Sequence, residues 1–225
     1  MPLKKSDVLV LIPAYNEEAR IANAIRRVQE EGYEVLVVDD GSVDATSIRA
    51  KESGARLIQN PKNLGKGQAL RTGFSYFLDS PFNFLITMDA DGQHDVRDLE
   101  KFLKVREESG ASLLIGNRMD NPTRMPWLRV LTNHFLSSLL SLVGGKKIPD
   151  SQCGYRLVSK EALRQMRFET SHFEIESEML LEALRLKVDV RSVPVSSVYE
   201  GETSHIHPVR DTFRFFRFLF LRLLK

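Results

Sequence analysis

The chain has 225 residues, 42% of them hydrophobic, with 32 basic and 30 acidic side chains giving a formal charge of +2. That length and apolar content suit one enzyme domain with a substantial core. The near-balanced charge excludes the global basic field that nucleic-acid binding needs. The single cysteine, Cys153, excludes a disulfide framework or a multi-cysteine metal site and suits a reducing, cytosolic compartment.

The N-terminal apolar run is short, broken by Pro13 and followed by Asn16, Glu17 and Glu18, so it reads as a first buried strand and not as a signal peptide. Short β-branched runs then alternate with amphipathic stretches. Strands are expected at residues 8–12, 34–38, 56–59, 84–88 and 112–115, and helices at 17–31, 44–53, 66–78 and 96–108. This alternation is that of βαβ units closing a mostly parallel, Rossmann-like sheet flanked by helices. Ligands in such sheets bind beyond the carboxyl ends of the strands, where Asn16, Asp39, Asp40, Asp89 and Asp91 collect.

Farther on, an apolar helix is expected over 127–143, stopped by Gly144-Gly145, followed by a strand over 152–159, a helix over 174–186 and an extended segment over 188–199 with Pro194 at a sheet edge. Residues 208–225 read as a basic, aromatic helix. Arg210, Arg214, Arg217 and Lys225 fall near one face, with Phe213, Phe216, Leu219, Phe220, Leu223 and Leu224 around the rest. We divide the chain into a catalytic domain, 1–207, and this C-terminal appendage, expected to meet a membrane surface or a membrane-embedded partner. No apolar run reaches the roughly 18 residues of a spanning helix, so membrane contact has to be peripheral, on the cytoplasmic face.

The chemistry concentrates after the fourth strand, where Phe84-Leu85-Ile86-Thr87-Met88 runs into Asp89-Ala90-Asp91-Gly92-Gln93-His94. Two carboxylates and a side-chain carbonyl form a hard oxygen site suited to Mg²⁺ or Mn²⁺, which would neutralise a diphosphate leaving group. Val38-Asp39-Asp40-Gly41-Ser42 brings a second acid pair to the same rim, where one acid could accept hydrogen bonds from a base or ribose. Gly65-Lys66-Gly67 opens a helix whose amides, dipole and lysine charge favour phosphate.

Ile12-Pro13-Ala14-Tyr15-Asn16-Glu17-Glu18, the Asp39-Asp40 segment, Asn63-Leu64-Gly65-Lys66-Gly67 and Met88 to His94 resemble, in order, the motifs of family 2 glycosyltransferases. More narrowly the chain resembles the polyprenyl-phosphate (dolichyl-phosphate) hexose synthases. The resemblance implies an A-type glycosyltransferase fold. It places Pro13, Tyr15, Glu17, Asp40, Lys66 and Asp89 on the nucleotide-sugar donor and the metal on Asp89, Asp91 and Gln93, with Asp91 catalytic through it. Arg118 resembles the arginine that grips the acceptor phosphate, and Arg129 with Asn133 match a second arginine and a polar residue. Asp150 and Glu176 are further catalytic candidates that would orient the acceptor.

Asp150-Ser151-Gln152-Cys153-Gly154-Tyr155-Arg156 and Lys66 resemble the glucose branch more than the mannose branch, which favours UDP-glucose over GDP-mannose. The implied reaction is inverting hexose transfer from a nucleotide sugar to polyprenyl phosphate. A transferase acting on a soluble saccharide, with Glu176 as base, and a non-catalytic nucleotide-binding or partner-binding domain remain alternatives. A nucleotidyltransferase would need a glycine-rich basic loop where Pro13 to Glu17 stand. Cys153 reads as a buried structural thiol, and His205 and His207 as part of a connector or a loop over donor phosphate.

Overall fold

The computed structural model describes residues 3–122, 125–196 and 208–223, with side chains of the final helix described at 214–220 and 222. The elements are β1 (Val8–Ala14), α1 (Ile21–Glu30), β2 (Glu34–Asp39), α2 (Thr46–Glu52), β3 (Arg56–Gln59), α3 (Lys66–Asp79), β4 (Phe84–Thr87), α4 (Leu99–Ser109), β5 (Leu113–Asn117), α5 (Trp127–Gly144), β6 (Arg156–Ser159), α6 (Lys160–Gln165), α7 (Ile175–Arg185), β7 (Val190–Pro194) and α8 (Pro208–Leu223).

The strands form one sheet in the order β3-β2-β1-β4-β6-β5-β7. Every neighbouring pair is parallel except those of β6, which runs antiparallel to both β4 and β5. All seven residues of β1 are buried, as a central strand covered on both faces requires. The expected mostly parallel α/β architecture is the one observed, with β6 inserted against the grain. β1, β2, β4 and β5 end at Ala14, Asp39, Thr87 and Asn117, on the rim that carries the candidate site.

Boundaries shift where side chains hold the backbone out of a helix. α1 starts at Ile21 and not at Glu17: Asn16 is left-handed (φ 55°) and Glu17 N–H donates to Thr46 Oγ1 at 2.8 Å. The strand expected from 152 begins only at Arg156, because the preceding turn is tied to Asp150.

α5 packs on the domain by a mixed face, with Leu136, Leu139, Leu140 and Val143 against the core beside buried polar residues. Its buried residues are Asn133, Ser137 and Leu140, whereas Trp127, Leu128, Leu131, Phe135 and Leu142 are exposed. α8 docks on the domain through buried Phe215, Phe218 and Leu219, and Arg222 pairs with Glu178 at 2.9 Å and Glu182 at 3.0 Å on α7. Of the apolar side chains expected at an interface, Leu219 is therefore in the core, while Phe216 and Phe220 remain exposed beside the exposed Arg217. The side chains of Arg210, Phe213, Leu223, Leu224 and Lys225 lie outside the described residues, as do His205 and His207. No helix among the described residues is long and apolar enough to cross a membrane.

Candidate active site

Asp89 follows the buried end of β4, where Met88 N–H donates to Leu11 O at 3.0 Å. One Asp89 oxygen lies 2.6 Å from Lys66 Nζ and the other 3.4 Å from His94 Nε2. Burial works against the Asp89 charge, but Lys66 and His94 outweigh it and hold the carboxyl far below its usual range. Asp91 Oδ1 accepts Gln93 N–H at 2.9 Å, closing a tight Asx turn that keeps both residues half-buried on the rim.

Lys66 is aimed by its two glycine neighbours. A Cβ on Gly65 would strike the His172 ring, and one on Gly67 would lie 2.5 Å from the Ser171 carbonyl carbon, so only glycine lets the start of α3 press onto this loop. Gln68 N–H seals the contact by donating to Ser171 O at 3.1 Å. The wedge sets Lys66 Nζ 2.7 Å from Glu176 Oε1 as well as against Asp89. Burial alone would lower the pKa of this ammonium, and the two carboxylates together raise it above the ordinary lysine value.

The expected free amides at this helix start are in part already engaged. Asp40 accepts Gly65 N–H at 2.7 Å, Leu64 N–H at 3.1 Å and Asn60 Nδ2 at 2.8 Å, so a carboxylate supplies the negative charge that the helix start favours. Asp39 is likewise occupied, accepting the Ser42 amide at 3.0 Å and the hydroxyls of Ser42 and Ser47. Pro13 and Glu17 are buried and Tyr15 half-buried beside this loop at the end of β1.

A second cluster forms around Asp150, which is fully buried. Arg118 donates Nε at 2.8 Å and Nη2 at 2.9 Å to its two oxygens, and Asn133 Nδ2 donates to Oδ1 at 2.7 Å. Burial opposes the charge, while Arg118 and Asn133 lower the pKa below the usual carboxylate range. The polar part of the buried face of α5 follows from this cluster: Asn133 and Ser137 point inward because they bind Asp150 and the Ser151 amide. In this conformation Asp150 faces Arg118 and not solvent, and Arg129 sits half-buried in the first turn of α5.

Arg156 joins the two clusters. It is 1% exposed and donates to the carbonyls of Cys153 at 2.8 Å, Ser151 at 2.7 Å and Glu176. Sequence reasoning gave no role to Arg156 or to His94, which is 5% exposed and packs 4.8 Å from the Tyr155 ring. The only signal for either was its place inside a motif noted for other residues. Cys153 is buried, and burial pushes its thiol up to about 12, which leaves no thiolate for nucleophilic work.

Among the described residues no three His, Cys, Asp or Glu side chains converge on one point. A divalent ion would instead be held by the Asp89 and Asp91 carboxylates and the Gln93 carbonyl, with ligand oxygens completing the shell. The hard oxygen donors fit. A Cβ on Gly154 would sit 2.7 Å from Asp89 Oδ2, so glycine there keeps that oxygen clear.

Residues 9–167 match the family model described as glycosyl transferase family 2. The chain belongs to this family. A relative in Methanococcus voltae, named UDP-N-acetylglucosamine–dolichyl-phosphate N-acetylglucosaminyltransferase, is 31% identical over 85% of this chain and 86% of its own. A dolichyl-phosphate β-glucosyltransferase of Dictyostelium discoideum is 27% identical over 97% and 76%. A polyprenol monophosphomannose synthase of Mycolicibacterium smegmatis is 31% identical over 70% and 63%. Among solved structures, the glucosyl-3-phosphoglycerate synthase of Mycobacterium tuberculosis in complex with Mn²⁺, UDP and phosphoglyceric acid superposes with a TM-score of 0.72. It is 23% identical over 93% of this chain and 74% of that one, and the likeness establishes the A-type fold.

Proposed function

We propose that this family 2 glycosyltransferase moves a hexose, glucose in the first instance, from a nucleotide sugar to a polyprenyl phosphate with inversion at the anomeric carbon. The observation that carries this reading is the Lys66 ammonium spanning Asp89 and Glu176, joined through Arg156 to the turn that holds the Arg118–Asp150 pair; the first suits a donor diphosphate and the second an acceptor phosphate. The relatives named above act on dolichyl or polyprenyl phosphate and differ in the sugar, which supports the acceptor class and leaves the sugar to experiment.

In this reading a phosphate oxygen of the acceptor forms the new bond to the anomeric carbon. The bond to the diphosphate breaks, and the nucleoside diphosphate departs with its electron pair. Asp89, Asp91 and Gln93 would hold Mg²⁺ or Mn²⁺, which would supply positive charge to that leaving group. Lys66 adds its own charge to the diphosphate, and Pro13, Tyr15, Glu17 and the loop fixed by Asp40 receive the nucleoside. The forked donors of Arg118 suit a phosphate as well as they suit Asp150, so an acceptor phosphate competes for the same guanidinium, aided by Arg129 and Asn133. A phosphate acceptor is already anionic and gives up no proton. Glu176 therefore positions Lys66 and does not act as base.

The test offers UDP-glucose, GDP-mannose and UDP-N-acetylglucosamine, each labelled in the sugar, with polyprenyl phosphate. Label in the lipid phase is expected, strongest from UDP-glucose, and Glu176→Gln should lower transfer by less than the roughly 10²-fold that loss of a general base costs. Label passing only to a water-soluble saccharide, or nucleotide-sugar binding without turnover on any acceptor, overturns the proposal.

A further inference from the structure

We infer that Arg222, on the C-terminal helix α8, is a positioning residue for Lys66, acting through Glu178 and the loop of residues 167–173. The inference rests on the proposed role of Lys66 at the donor diphosphate only for its effect on transfer; the link itself is argued from contacts.

Glu178 and Glu182 stand one helical turn apart on α7 and are 1% and 2% exposed. Two buried carboxylates so placed repel each other unless a cation lies between them. Arg222 is that cation. Its Nη2 donates to Glu178 at 2.9 Å and its Nη1 to Glu182 at 3.0 Å, so the guanidinium fork spans the pair.

The same two carboxylates fasten the loop that precedes α7. Glu178 accepts the amides of Glu169 and Thr170, each at 3.0 Å, and the Thr170 hydroxyl at 2.6 Å, while Glu182 accepts the Arg167 amide at 3.1 Å. A carboxylate bonded to a guanidinium on one side and to loop donors on the other fixes both in one geometry. The next residues, Ser171 and His172, are those that Gly65 and Gly67 press against, and Ser171 O accepts the Gln68 amide at 3.1 Å. Phe173 then brings its ring to Lys66, with Nζ 5.8 Å from the ring centre. One continuous series of contacts therefore runs from α8 through α7 and the loop to the ammonium that faces Asp89 and Glu176. Without Arg222 the two carboxylates turn apart, the loop loses its fixed acceptors, and the start of α3 loses the surface that aims Lys66.

Coupling is read at the far end of this series. In the full chain, Arg222→Met should speed hydrogen exchange about tenfold at the Glu169, Thr170 and Gln68 amides, while the amides of β1 and β4 keep their protection. Lys66, released from its carboxylates, should react with acetic anhydride about threefold faster relative to the exposed lysines, read by mass spectrometry. Arg217→Met, which removes an equal charge from an exposed position on α8, should change neither. Thr170→Val removes a loop donor and no charge, and should reproduce part of both effects. Arg222→Lys, which keeps the charge without the fork, should recover part of the protection. In transfer, the loss should fall on kcat and on KM for the nucleotide sugar, with KM for polyprenyl phosphate unchanged, because the Arg118–Asp150 pair is untouched. Exchange that quickens at Glu169 and Thr170 but not at Gln68, or an unchanged Lys66 reactivity, overturns the inference and leaves Arg222 an anchor for α8. Equal acceleration at every amide overturns it too. Absence of transfer in every protein, with the exchange and labelling effects present, would refute the proposed reaction and leave the link standing.

Discussion

Lys66 Nζ lies 2.6 Å from Asp89 Oδ1, so the carboxylate expected to meet a divalent ion is already paired with a cation from the start of α3. In the proposed reaction, lysine and metal ion would compete for Asp89 until a diphosphate drew the lysine away. Lys66→Met should therefore strengthen Mn²⁺ binding in the absence of nucleotide, by about tenfold for roughly 1.4 kcal/mol of relieved competition. Transfer should fall in the same variant. Mn²⁺ electron paramagnetic resonance with and without UDP separates the two effects; equal Mn²⁺ affinity in both proteins contradicts the competition.

His94 touches Asp89 through Nε2, and its Nδ1 is buried without a hydrogen-bond partner. His94→Phe keeps the ring against Tyr155 and removes an unsatisfied buried atom, so melting temperature should hold or rise. Metal affinity in the presence of UDP should drop by about 10- to 100-fold, as for other groups that orient a ligand. A stability loss without an affinity loss would make His94 a packing residue only.

The Asp150 carboxyl has a folded-state pKa below its unfolded value of about 3.9, so its contribution is fully present above that value and disappears as pH falls through the folded pKa. Arg118→Met leaves this buried charge short of its main partner and should cost about 3 kcal/mol at pH 7. The loss should be smaller at pH 4, where Asp150 in the variant takes up a proton. Urea unfolding at the two pH values checks the sign, and an equal loss at both would remove Asp150 from the explanation.

Gly67→Ala places a methyl group 2.5 Å from the Ser171 carbonyl carbon, with backbone on both sides and no flexible side chain to yield. Forcing α3 away from this loop should cost about 1–3 kcal/mol and separate Lys66 from Glu176. Urea denaturation reports the first effect. For the second, Gly67→Ala should share part of the enhanced Mn²⁺ binding of Lys66→Met.

The runs that build β1, β2, β4 and β5 were legible because each strand is buried over all but at most its first residue and stops at a polar rim. The reversed direction of β6 was not, since a four-residue strand carries no sign of its orientation. Among the site residues, the carboxylates announced themselves by clustering after strands. Their partners did not: Arg118 reaches Asp150 across 32 positions, and Arg222 reaches Glu178 across 44. The 127–143 stretch was readable as an apolar helix, yet nothing local told which side faced inward. That orientation is decided by the hydrogen bonds of Asn133 and Ser137 to a turn that comes later in the chain.

Arg156 has a consequence for electrostatics that reaches beyond holding loops together. Its guanidinium is bonded to three carbonyls and, among the described residues, to no carboxylate. Burial lowers its pKa, but an arginine starts so high that it keeps its proton throughout the range in which proteins work. The pocket that Arg156 lines together with Lys66, Asp89 and Glu176 thus keeps one positive charge that neither pH nor metal supply can switch off.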